Sequence, residues 1–147
     1  MHYAVLAGLL LLFGFLSVSN FERTMAENHS SHVQFVAGHM RAYGAYVAAY
    51  ARANPSANGG VSDAAVALPS WLARPAGMAA YVRSGQAFVY YMPASVAQAN
   101  EIARSCGGSL KCGVTRSRSL FLPGSSAAVL TGLPTPIPAN GALVLVL

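Results

Sequence analysis

The sequence predicts an α+β fold in which an amino-terminal apolar helix continues into an amphipathic helix, packed on an antiparallel β-sheet with one further short helix. Three observations carry this. Residues 3–19, YAVLAGLLLLFGFLSVS, hold no formally charged side chain. Apolar side chains then recur at helical spacing, at Val36, Met40, Tyr43, Val47 and Tyr50. Beyond Asp63 the period changes to short aromatic and β-branched segments bounded by Gly and Pro.

The first element is read as a transmembrane anchor over residues 1–19. A helix over 3–19 reaches about 25 Å, within the range that crosses a bilayer. A cleaved secretory signal is the rival reading, since Ser17 and Ser19 are small residues just ahead of Asn20, and a buried helix is a third. No Lys or Arg precedes the run, which disfavours the signal. The two residues before the run are most simply left in the cytoplasm, which sends everything after Asn20 across the membrane.

Residues 20–53 form the second element. The polar stretch Phe21 to His32 reads as a solvated stalk, and the stripe from Val36 to Tyr50 as the apolar face of the helix. That stripe either packs on the chain's own sheet or meets another subunit, and it is the candidate interaction face. Asn54 and Pro55 end the helix, because a residue before proline is pushed out of the helical region. Residues 54–63 are a turn-rich linker.

An α+β domain follows over residues 64–147. Met78–Val82 and Ala87–Met92 read as a β-hairpin. Ser95 caps a helix to about Ser105, with Val96, Ala99, Ile102 and Ala103 on one side. Val114–Leu122 and Ala128–Leu130 are candidate strands. Pro134, Pro136 and Pro138 predict an extended, polyproline-like approach to ALVLVL at residues 142–147, a strand apolar on both faces and therefore interior to the sheet.

Charge and titratable groups narrow the chemistry. The net charge of +5 lies in the carboxyl-terminal part, where five arginines and Lys111 face only Glu101. Arg116 and Arg118 form a candidate basic edge, with strand alternation placing both on one face. After His39 there is no histidine, and the carboxylates are Asp63 and Glu101, too few for paired acid and base work. No catalytic residue is assigned, and neither cofactor, small-molecule substrate nor nucleic acid is expected. His29, His32 and His39 read as surface histidines, not as a metal site. Tyr81, Phe88, Tyr90 and Tyr91, with Trp71 in the preceding loop, read as core and sheet-face packing. Cys106 and Cys112, the two cysteines of the chain, are expected to close a small disulfide loop in an oxidising compartment, free thiols being the alternative.

Taken in order, the anchor, the helix ending in ANP, LPSW at Leu68–Trp71, FVYYMP at Phe88–Pro93 and the proline-rich approach to a terminal apolar strand resemble the PilM family. These are small proteins of type IVb thin-pilus clusters, including those of conjugative plasmids. The resemblance implies a non-catalytic component of the pilus basal body or pilin-export apparatus. It would sit in the bacterial inner membrane with its amino terminus cytoplasmic and its domain periplasmic. Its partners would be other pilus biogenesis proteins or pilins, with homo-oligomerisation open. A minor pilin-like or pseudopilin-like subunit is the alternative, although Ser19 stands where a prepilin cut after Gly14 would need Glu.

Overall fold

A computed structural model describes the backbone of residues 2–106 and 111–147, and the side chains of residues 27–106 and 111–147. Two helices, α1 (His2–Ala53) and α2 (Val96–Cys106), accompany seven strands. The strands are β1 (Asn58–Gly60), β2 (Met78–Arg83), β3 (Gln86–Tyr91), β4 (Lys111–Arg116), β5 (Ser119–Phe121), β6 (Ala128–Leu130) and β7 (Leu143–Val146). They form one antiparallel sheet in the order β1-β2-β3-β7-β4-β5-β6. The α+β expectation is met.

Two compact units divide the chain, residues 1–32 and residues 33–147. The first is helical from His2, and its side chains from Glu27 to His32 are exposed. The run 3–19, on which the anchor is predicted, lies outside the described side chains. Among the described residues no helix is long and apolar enough to cross a membrane.

In the second unit the α1 stripe settles on the sheet. Val36, Met40, Tyr43 and Val47 are buried with Met78, Ala80, Val82, Val89, Leu143 and Leu145, and Tyr50 packs at their margin. Gly44 permits the close approach, since a Cβ there would come within 2.6 Å of Leu147 Cδ1. Ser95 caps α2 by accepting a hydrogen bond from the Gln98 N–H at 3.1 Å. Ala99, Ile102, Ala103 and Cys106 are the buried face of α2, whereas Val96, expected with them, is half exposed.

The β2–β3 hairpin turns on Ser84 and Gly85, both at positive φ, as a two-residue turn of the primed kind demands. The expected strand over Val114–Leu122 is instead a second tight hairpin. Ser117 and Arg118 adopt φ of 47° and 58°, and β5 returns beside β4. A β1 strand also appears within the predicted linker, pairing with β2.

Strand β7 lies between β3 and β4 and is buried throughout, as its two-sided apolarity predicts. Leu143 and Leu145 face the helical side, while Val144 and Val146 join Phe88 and Leu120 on the other. The approach to β7 is not extended. Ile137 N–H reaches the Pro134 carbonyl at 3.0 Å, and Leu133, Ile137 and Ala142 fold down over that second face. The prolines fix φ, but Ile137 between them and the flanking Leu133 and Ala142 gain more from covering the sheet than from remaining in a solvated polyproline helix. Buried Thr115 holds the segment: its N–H donates to the Ala142 carbonyl, its Oγ1 accepts from the Ala142 N–H, and its carbonyl accepts from Gly141.

Candidate interaction surface

With its stripe spent on the core, α1 offers partners a different set of residues. The predicted contact face is corrected accordingly: Val36, Met40, Tyr43 and Val47 are at most 1% exposed, and Tyr50 is only partly accessible. The sheet presents an apolar face of its own, and this stripe is what covers it. Off the stripe, Phe35 is 52% exposed, and Trp71, expected to pack, is 73% exposed.

These two aromatics border one groove of about 410 Å³, lined by Gln34, Phe35, Gly38, His39 and Ala42 of α1 and by Trp71 and Leu72 of the following loop. The Phe35 and His39 rings lie 4.0 Å apart between centroids, and His39 Nδ1 is 3.0 Å from the Phe35 carbonyl. Gly38 keeps the groove floor open, as no atom lies within 4 Å of where its Cβ would be.

The loop bearing Trp71 is fastened on both sides. Leu72 is buried, and its N–H bonds the Pro69 carbonyl at 2.9 Å. Arg74 Nε donates to Asp63 Oδ2 at 3.2 Å and lies 3.0 Å from Oδ1, and Arg74 Nη1 donates to the Met78 carbonyl at 2.8 Å. Tyr43 reaches the same carboxylate from α1, its hydroxyl donating to Asp63 Oδ1 at 3.3 Å. Burial first, and the Asp63 charge second, push the Tyr43 hydroxyl up to about 12 against the opposing pull of Arg74. Trp71 is thus displayed outward by a loop whose flanks are tied to the core. A large exposed aromatic on a held loop is the kind of residue that anchors protein interfaces.

The basic edge also takes another form. β4 is an interior strand, so Arg116 is not on a sheet edge, and Arg118 lies in the tight turn instead of on a strand. Arg116 stacks its guanidinium 5.3 Å from the Phe121 ring centroid, and Arg118 Nη1 donates to the Thr135 carbonyl at 3.4 Å. They mark the tip of a hairpin.

His29 and His32 are exposed. Among the described residues, His, Cys, Asp and Glu nowhere gather in a group of three that could hold a metal ion. Cys106 and Cys112 are brought into the same buried cluster, as free thiols. The disulfide expected from the sequence is not present between them, and residues 107–110 of the loop lie outside the described residues.

Phe35 and Trp71 carried weak signals in the sequence. Phe35 falls outside the spacing of the buried stripe, and Trp71 stands in LPSWLARP, where two prolines keep the chain out of a strand.

Comparison with known proteins supplies the remaining context. The PilM family model matches residues 7–146. The chain is similar to a crystal structure named as a PilM protein from Pseudomonas aeruginosa 2192, at 29% identity over 77% of this chain and 92% of that one, with a TM-score of 0.47. It is also similar to a PilM protein structure from Escherichia coli B7A, at 16% identity over 80% of this chain and 93% of that one, with a TM-score of 0.55. The second likeness is one of fold. No curated protein matches the chain.

Proposed function

The chain belongs to the PilM family, and from that premise we propose that it is a non-catalytic component of a type IVb pilus biogenesis apparatus. In this reading residues 3–19 anchor it in the inner membrane. The domain stands in the periplasm and acts by contact with other pilus proteins. The observation that carries the reading is the groove between Phe35 and Trp71. An exposed Trp and Phe flanking the groove offer a contact surface. Tying the loop at Asp63 and Arg74 lowers the ordering cost of presenting Trp71 to a partner.

The test is in-cell photocrosslinking from position 71 in a strain that makes the pilus, with position 52 on the exposed end of α1 as control. A covalent adduct with another pilus biogenesis protein, lost in Phe35→Ala, is the expected result. Unchanged piliation in the Phe35→Ala, Trp71→Ala double variant would overturn the assignment of this surface. A minor pilin-like role is the second reading, favoured by the long α1 helix laid on an antiparallel sheet; recovery of the protein in sheared pili would select it.

A further inference from the structure

Cys106 ends α2 and Cys112 is the second residue of β4, so two separate elements bring both side chains into the same buried cluster. Beside them is a polar surface cleft lined by Gln34, Ala37 and Arg41 of α1 and by Ser105, the residue before Cys106. Both thiols are buried; Cys106 closes a helix end and follows Ser105, which lines the cleft, whereas Cys112 is held in a strand bonded to β7.

We propose that Cys106 and Cys112 are a dithiol that exchanges with an external disulfide carrier, Cys106 being the entry thiol and Cys112 the resolving one, to clamp the end of α2 onto β4. This rests on the periplasmic placement proposed above, which supplies the carrier. The Cys106 thiolate, its proton gone to solvent, attacks one sulfur of the carrier disulfide and forms a mixed disulfide as the first carrier thiolate leaves. Cys112 loses its proton and attacks Cys106 Sγ, and the bond between Cys106 and Cys112 forms as the second carrier thiolate leaves. Both carrier thiolates take up protons. The protein is oxidised by two electrons and the carrier is reduced by two.

The order of attack follows from the surroundings. The hydrogen bond from Cys112 and the nearby Arg41 guanidinium hold the Cys106 thiol below its ordinary range against the effect of burial. The same hydrogen bond, with burial, pushes the Cys112 thiol up. Access comes through fraying of the last turn of α2, an opening that costs less than global unfolding.

The test uses the purified full chain in mild detergent, reduced and then incubated with oxidised glutathione. Mass spectrometry should find an intramolecular bond, a loss of about 2 Da. Cys112→Ser should accumulate a glutathione adduct on Cys106, and Cys106→Ser should react at least about tenfold more slowly. The closed form should melt roughly 5–10 °C above the reduced one, because the bridge removes loop entropy from the unfolded chain. Intermolecular dimers alone, no closure, or faster adduct formation on Cys112 would each overturn the proposal. Alkylation trapping in intact cells separates the two readings: closure with purified protein but reduced thiols in cells would count against the periplasmic placement and leave the thiol pair standing.

Discussion

Raising the pH through the range in which tyrosine ordinarily ionises should weaken this fold through Tyr43. Its side chain is fully buried, and its hydroxyl faces the Asp63 carboxylate, so the folded protein releases that proton only near pH 12. In the unfolded chain the same group ionises at about pH 10. Below about pH 10 both states keep the proton, and the contribution of Tyr43 is fully present. Between about pH 10 and 12 only the unfolded chain releases it, so stability falls by about 1.4 kcal/mol per pH unit, reaching about 2.7 kcal/mol above pH 12. Tyr43→Phe removes the titrating group and costs about 1 kcal/mol at neutral pH, because Asp63 keeps its contact with Arg74. Urea unfolding of both proteins, followed by circular dichroism near pH 9.5 and 11.5, reads the difference. The parent should lose about 1.5–2 kcal/mol more than the Phe variant over that interval. Parallel losses would refute the account of Tyr43 as a buried hydroxyl held against a carboxylate.

Two glycine experiments test the packing. In Gly113→Ala the new Cβ would overlap the Phe121 carbonyl, a backbone atom that cannot move without separating β4 from β5; a loss of about 2–3 kcal/mol is expected in chemical denaturation. Gly38→Ala and Gly44→Ala form a matched pair on α1. The first meets no atom and should gain about 0.5–1 kcal/mol from helix propensity. The second gains the same but presses on the Leu147 and Leu145 side-chain ends, so its midpoint should fall below that of the first, and equal midpoints would mean that α1 does not sit as close to the sheet as described.

Much of the fold was legible because local chemistry and tertiary need agree. Ser84–Gly85 suits a two-residue hairpin, Ser95 suits a helix cap, and a strand apolar on both faces belongs between neighbours. The second hairpin was hidden because Ser117 and Arg118 are not residues that ordinarily favour left-handed backbone; Asn140 Oδ1 accepts the Ser117 N–H at 2.8 Å, a long-range contact that spacing cannot reveal. β1 is Asn-Gly-Gly, a turn composition drawn into a strand by β2. For the site, the apolar stripe was correctly seen as a stripe, but periodicity alone does not say whether the surface facing it belongs to the same chain. Trp71 was misjudged for a related reason: the residue type favours burial, and only the tying of its loop at Leu72 and Arg74 turns it outward.

The interior position of β7 has a bearing on how the chain reaches its folded state. β1 to β3 and β4 to β6 are each joined through neighbouring strands, so each half of the sheet assembles from contacts close in sequence. Within the sheet the two halves are bridged by β7, whose pairing of Phe88 with Val146 closes a long loop. Until that strand arrives, β3 and β4 each leave a bare edge with apolar side chains beside it, a template for pairing with other copies. Substitutions that weaken β7 should therefore lower the yield of native protein through aggregation during synthesis before they alter the surface that a partner sees.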